Sequence, residues 1–200
     1  MKITFSEKFP PPVSGAIYVS FVEAEQDEVM REEGVLTLKL GMGKKGELTL
    51  RKFPLLVRKA VSIAKNHKAT KMIFSFPPAV PKNLKISNEM LAETVAFNLN
   101  LANYKFVKCR TEPKEGWGFI DEIIMAGKVS AKVKKSFEKG EEIGRAVNAT
   151  RDMANTPGGD MTPKVLADAA KKAAAGTKVS VKVFGKKEME KLGMGAVLGV

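Results

Sequence analysis

The chain has 200 residues, of which 44% are hydrophobic and 28% are charged, so wholesale disorder is excluded and one or two globular domains are expected. The first residues lack the apolar core of a signal peptide, and no window approaches about 18 apolar residues, so we expect a cytoplasmic protein with no membrane contact. The net charge is +12, with 20 basic and 14 acidic residues in 1–128 and 14 and 8 in 129–200. Each part therefore carries +6, and there is no basic tail.

Three segments near the amino terminus have the apolar, β-branched character of strands, at residues 2–5, 15–22 and 35–40. Between the second and third, residues 23–34 are acidic and lack a regular pattern, which favours a loop or a short helix. Residues 41–46, Gly-Met-Gly-Lys-Lys-Gly, then follow a strand and precede a predicted helix. Such glycines can admit a pyrophosphate, but no acid lies about 20 positions on to hold a ribose, so a plain glycine-rich turn is favoured.

An amphipathic helix is predicted at residues 50–67, with an apolar stripe beginning at Phe53 and a strongly basic opposite face. Two interpretations of that basic face stay open, a hydrated surface and a phosphate-binding surface. No aromatic residues interleave with the charges, which favours hydration over binding of single-stranded nucleic acid. The candidate anion-binding face consists of Arg51, Lys52, Arg58, Lys59 and Lys65.

The chain then alternates between strands and helices. We predict a strand at 70–76, a stiff loop at Pro77, Pro78 and Pro81, a helix from 88 to about 104 capped by Ser87, and a strand at 119–125. This alternation indicates a mostly parallel sheet covered by helices. A long helix at 132–155 follows and contains Gly140 and Gly144, each of which costs roughly 1 kcal/mol in a helix interior.

The single cysteine, Cys109, cannot form an internal disulfide. Its neighbours Val107 and Lys108 predict a strand or strand end, and we interpret it as a structural thiol rather than a nucleophile. The only histidine, His67, is distant in sequence and has no acid beside it.

The most specific pattern lies at residues 145–198. Its order is Arg-Asp at 151–152, Asn-Thr-Pro at 155–157, Asp-Met-Thr-Pro at 160–163, a predicted helix at 163–175, a predicted strand at 179–184, and Leu-Gly-Met-Gly-Ala at 192–196. This order and spacing resemble the junction in the leucyl aminopeptidase (cytosol aminopeptidase) family. One departure is Gly158-Gly159, where relatives usually carry Pro or another residue followed by Asn.

The resemblance implies an α/β fold: a macro-domain-like N-terminal domain at 1–128 with a mostly parallel or mixed sheet flanked by helices, a linker helix at 129–156, and a partial second α/β domain at 157–200 that starts the catalytic peptidase domain. It also implies a two-metal exopeptidase, with zinc or manganese, that acts on peptides as a homohexamer. For this chain, the partner would be the remainder of the catalytic domain.

In the family, the metal ligands and catalytic residues lie on segments beyond Ala196, including Asp-Ser-Gly-Gly and Asn-Thr-Asp-Ala-Glu stretches, and neither occurs here. We therefore expect no catalytic, metal-binding or cofactor-binding residue in this chain and no activity from residues 1–200 alone. The alternative hypothesis is a stand-alone macro-like module that binds an anionic ligand or nucleic acid.

Overall fold

The computed structural model describes residues 1–44, 46–76 and 84–199, so the predicted proline loop, Lys45 and Val200 lie outside it. The chain divides into two compact units, Met1–Arg151 and Asp152–Val200, which are described separately. The domain limits expected at 128 and 156 stay predictions. Within the described residues, no helix is both long enough and apolar enough to cross a membrane.

The first unit is built on a six-stranded sheet in the order β1-β6-β5-β2-β4-β3. All neighbouring strands are parallel except β3 and β4. The strands are β1 (Lys2–Ser6), β2 (Ala16–Val22), β3 (Glu28–Glu32), β4 (Val35–Gly41), β5 (Lys71–Ser75) and β6 (Glu122–Ala126). The predicted α/β class with a mostly parallel, mixed sheet is confirmed.

Three helices pack on this sheet: α1 (Phe53–Asn66), α2 (Asn88–Asn103) and α3 (Ala131–Asn155). Pro54 occupies the first turn of α1, where its missing N–H breaks no helical bond. The Ser87 hydroxyl accepts a hydrogen bond from the Met90 amide and caps α2 as predicted. The core joins alternate residues of the strands to the inner faces of these helices: Ile17, Val19, Leu38, Met72, Phe74, Ile123, Phe53, Val57, Leu91, Leu99 and Phe137.

Residues 28–32 form a strand, so the predicted loop or short helix at 23–34 is wrong. The β3 strand pairs antiparallel with β4 through a two-residue turn at Glu33 and Gly34, both with positive φ. Such a turn matches the twist of a hairpin. The polar sequence of β3 concealed it, because an edge strand can expose charged side chains, as Glu28 does in its ion pair with Lys39.

The strand predicted at 119–125 starts later, at Glu122. The buried side chain of Asn103 explains the shift, because its amide group donates to the Ile120 carbonyl and its oxygen accepts from the Ile120 amide, at 2.8 and 2.9 Å. A side chain thus takes the hydrogen bonds that a neighbouring strand would otherwise make.

The predicted long helix is confirmed as α3, and its two glycines face α2. A Cβ added to Gly140 would lie 2.4 Å from the Glu93 carbonyl oxygen, and one added to Gly144 would lie 2.6 Å from Asn100 Cβ. Both glycines therefore allow the two helices to approach more closely than any side chain would permit.

The second unit contains helices α4 (Pro163–Ala174), α5 (Lys186–Lys191) and α6 (Gly195–Leu198). The Thr162 hydroxyl accepts from the Val165 amide, and α4 begins at Pro163, where the helix was predicted to begin. The strand predicted at 179–184 is wrong, because these residues form no strand and pair with no described strand. Several large apolar side chains of the unit are exposed: Val165, Leu166, Val179, Leu192 and Val197.

Candidate functional site

The five basic residues of the candidate anion-binding face do not form one free surface. Arg51 and Lys52 are exposed just before α1 begins. Lys59 forms an ion pair with Asp27, whose carboxylate also accepts from the Gly41 amide. Lys59 is thus tied to the loop that precedes β3, and phosphate binding by the five residues together stays a prediction.

The Lys65 side chain binds the carboxyl end of α2. Its ammonium group donates to the carbonyls of Ala102 and Asn103, at 3.1 and 3.2 Å. Burial lowers the pKa of this ammonium, and the nearby positive charge of Lys105 lowers the pKa further. The expectation that Lys65 only hydrates the surface is therefore wrong, because the side chain crosses from α1 to α2.

Two residues of α3 bind the same end of α2, and together with Lys65 they form a cap on this helix. The Asn148 side-chain amide donates to the Asn100 carbonyl at 3.0 Å, and Arg151 Nη1 donates to the Leu101 carbonyl at 3.2 Å. The Arg151 guanidinium also lies 5.3 Å from the centre of the Tyr104 ring.

These contacts satisfy the carbonyls of the last turn of α2, which have no partner within a helix. The last turn of α2 contains no basic residue of its own. Lys65 and Arg151 supply positive charge where the helix dipole is negative. Arg151 is thus a structural residue of the first unit, a role that the sequence pattern at 151–152 did not reveal.

Arg58 lies beside a groove between the helices. Its Nε donates to the Asn98 side-chain oxygen at 2.7 Å, and the Asn98 amide donates to the Thr94 carbonyl at 2.8 Å. Asn98 is 2% exposed, so a buried amide holds the exposed guanidinium in place. This anchoring of Arg58 on α2 is a contact that the sequence did not reveal.

The groove beside Arg58 has a volume of about 630 Å³. Its walls come from α1, α2 and α3, and its apolar lining is Pro54, Met90, Phe97 and Ile143. This size falls within the range of small-ligand pockets.

The described residues that follow β4 in the glycine sequence, 42–44 and 46, belong to a turn and to no helix, as favoured. The Lys44 and Glu47 backbones close it, and the Glu47 carboxylate accepts from the Lys44 amide at 3.2 Å. Lys44 also pairs with Glu25 at 3.0 Å. Because the adjacent side chains are acidic and α1 begins only at Phe53, a phosphate would meet carboxylates here and no helix start.

Cys109 is exposed and lies in a turn with a φ of 63°. The predicted strand at this position is wrong, because this left-handed backbone conformation does not occur within a strand. In residues 1–44, 46–76 and 84–199, no three His, Cys, Asp or Glu side chains are grouped so as to hold a metal ion. The described residues therefore do not fit the ligand set of a two-metal site.

The junction at 152–163 forms a compact turn in the second unit. The Thr156 hydroxyl donates to the Asp152 carbonyl at 2.7 Å and ends α3. The amides of Asp160 and Met161 both donate to the Pro157 carbonyl, at 2.8 and 2.9 Å. Gly158 and Gly159 have open space where a Cβ would stand, so this turn does not require glycine at either position.

Residues 148–200 match the model of the cytosol aminopeptidase family, catalytic domain. A probable cytosol aminopeptidase of Saccharophagus degradans is 32% identical over 171 residues, which cover 82% of this chain and 34% of the relative. A probable cytosol aminopeptidase of Geobacter sp. (strain M21) is 34% identical over 165 residues, covering 82% of this chain and 32% of the relative.

Solved structures show the same fold. A mutant of tomato leucine aminopeptidase superposes with a TM-score of 0.74 at 15% identity, covering 96% of this chain and 46% of that one. The bottromycin maturation enzyme BotP in complex with Mn gives a TM-score of 0.69 at 18% identity, covering 91% and 41%. The family-model match at residues 148–200, the curated relatives and the junction pattern place the chain in the cytosol aminopeptidase family, and it spans about a third of the length of the curated relatives it matches.

Proposed function

We propose that this chain is the N-terminal portion of a leucyl aminopeptidase, a two-metal exopeptidase that releases N-terminal amino acids from peptides. The observation that carries the proposal is the match of residues 148–200 to the family's catalytic domain, directly after a unit with its own sheet and core. In this proposal the first unit is a macro-domain-like assembly or regulatory domain. Residues 157–200 open the catalytic domain.

The exposed apolar side chains of the second unit support the proposal that residues 157–200 are only the beginning of the catalytic domain. Val165 and Leu166 on α4 and Val179 between α4 and α5 are exposed. Exposed apolar side chains that recur in one short unit are typical of a surface that another polypeptide layer covers. We propose the remainder of the catalytic domain as that layer.

The metal ions belong to the proposal for the longer family protein. Zinc or manganese would activate a water molecule for attack on the peptide bond. The described residues supply no group of three candidate ligands, so no step of the reaction is assigned to them. Cytoplasmic location and assembly as a hexamer are likewise proposals drawn from the family.

An activity assay tests the proposal. Purified residues 1–200 should hydrolyse leucine amide and leucine p-nitroanilide no faster than a metal-only blank, with zinc or manganese added. The reason is that, in the proposal, the metal-binding and catalytic residues lie on other segments of the family's catalytic domain. Product formation is followed over several hours, and for leucine p-nitroanilide the absorbance of the released p-nitroaniline is measured.

The full-length relative from Saccharophagus degradans is the positive control, assayed in the same buffers. Metal-dependent turnover by residues 1–200, retained through a second purification step, would show that this chain holds an active site and would contradict the proposal.

A further inference from the structure

The groove between α1, α2 and α3 combines an apolar strip with a positive charge from α1. On α2, Met90, Thr94 and Phe97 follow one another at intervals of four and three residues, so they share one face of that helix. Pro54 of α1 and Ile143 of α3 extend the apolar lining on the neighbouring helices. Met90 is 53% exposed and Ile143 is 40% exposed, so this apolar surface is open to a ligand.

The positive charge belongs to Arg58, which lies one turn after Pro54 on α1 and lines the same groove. Its Nε donates to the side-chain oxygen of Asn98, which is itself buried. The buried amide holds the guanidinium at the groove, and the terminal nitrogens point to a further acceptor as the missing partner. Among the residues that the structure describes, Arg58 forms no ion pair. A planar guanidinium suits a carboxylate, which it binds through two parallel hydrogen bonds.

The acidic residues of the lining do not oppose an anion at Arg58. Glu93 is already paired with Lys139 at 2.9 Å. Glu89 precedes Asn98 by nine residues, and this corresponds to about 13.5 Å along the axis of α2. That separation exceeds the screening length of about 8 Å at physiological ionic strength, so the Glu89 charge acts only weakly at the Arg58 end.

We propose that this groove binds a medium-chain carboxylate, with its carboxylate on Arg58 and its alkyl chain along Thr94 and Met90. From Asn98 back to Met90 the helix extends about 12 Å, which is comparable to the length of an extended octanoate chain. A ligand with one charge at one end matches a groove with one unpaired cation beside an apolar strip. A neutral apolar ligand would instead cover the guanidinium without giving it a partner, which is unfavourable.

The proposal concerns the first unit and does not rest on peptidase activity. An open groove and a ligand of this size make the binding weak, with a Kd on the order of 1 mM. Octanoate is the test ligand because it is dissolved as single molecules at such concentrations and carries one carboxylate on an unbranched chain.

The experiment titrates the full chain with octanoate and follows the backbone amide signals by NMR. Saturable shifts are expected at residues 55–58, 90–98 and near Ile143. At equal concentration, 1-octanol should cause shifts about tenfold smaller, because it has the chain but loses the charge-assisted hydrogen bonds. Acetate, which has the carboxylate without the chain, should cause no saturable shift.

Two variants locate the contacts, and two others serve as matched controls. Arg58→Gln should weaken octanoate binding by about tenfold or more, whereas Arg51→Gln removes an exposed charge outside the lining and should leave the affinity unchanged. Ile143→Ala should weaken binding by about threefold through lost apolar contact. Leu55→Ala removes a side chain that is 57% exposed and outside the lining, so it should have no effect. The comparison of ligands uses the native chain, so it decides the question even if a groove variant folds poorly.

Three results would overturn the proposal. The first is the absence of saturable shifts around the groove with octanoate. The second is equal binding of octanoate and 1-octanol, which would make the groove a plain apolar surface. The third is an equal loss of affinity in Arg51→Gln and Arg58→Gln, which would mean that the net charge of +12 attracts the anion without a defined contact.

Discussion

Replacing Gly140 with alanine is expected to destabilise the first unit by about 2 kcal/mol, as overpacking does at a close contact. The added Cβ would lie 2.4 Å from the Glu93 carbonyl oxygen and 2.9 Å from Ala96 Cβ. The first neighbour is backbone in the middle of α2, so it can move only if the two helices separate. Urea unfolding followed by the fluorescence of Trp117, which lies in this unit, measures the change.

Helix propensity alone predicts the opposite sign, because alanine favours a helix interior over glycine by roughly 1 kcal/mol. Ala146→Gly is the matched control, since Ala146 is exposed on the same helix and should lose about that amount through propensity only. A stabilised Gly140→Ala protein would contradict the close contact between α2 and α3.

The second large effect is expected from removal of the charged cap on α2. Lys65→Met combined with Arg151→Met should lower the free energy of unfolding of the first unit by about 2–4 kcal/mol, since each variant removes a charged donor from partly buried carbonyls. Both side chains are partly exposed, so the expected loss in the free energy of unfolding is smaller than for fully buried charged pairs. The same urea experiment measures the loss, and hydrogen exchange should show faster opening at residues 100–103.

Arg145→Gln is the control for this pair, because Arg145 is exposed on α3 and pairs with Glu141 only at 3.8 Å. Its effect should stay within about 0.5 kcal/mol. If the double variant loses no more stability than Arg145→Gln, the cap does not hold the three helices together.

The regular elements with a clear apolar pattern were predictable from the sequence. The apolar stripe at Phe53, Val57 and Ala64 located α1, and Ser87 located the start of α2. Both signals are local, since they depend on helical periodicity and on a cap one turn away. The β3 strand was missed because its pairing, and not its composition, makes it a strand.

Features that depend on contacts between distant residues were not predictable. The sequence suggested that Gly140 only weakens α3, whereas the structure shows that α2 passes against this glycine. Periodicity likewise placed Arg58 and Lys65 on a polar face, but it could not show that Asn98 and the end of α2 lie within their reach. The strand at 179–184 was wrong for a related reason, because a strand requires a neighbour that a local pattern does not guarantee.

A domain exchange measures whether this chain can supply the first part of a cytosol aminopeptidase, as proposed. The region of the Saccharophagus degradans relative that matches this chain would be replaced by the matching residues of this chain, and hydrolysis of leucine p-nitroanilide would be measured with manganese or zinc. We expect a folded chimera with metal-dependent turnover well above the blank, because equivalent domains should support the same catalytic domain. A chimera that is folded and binds metal but shows no turnover, beside an active parent enzyme, would contradict it.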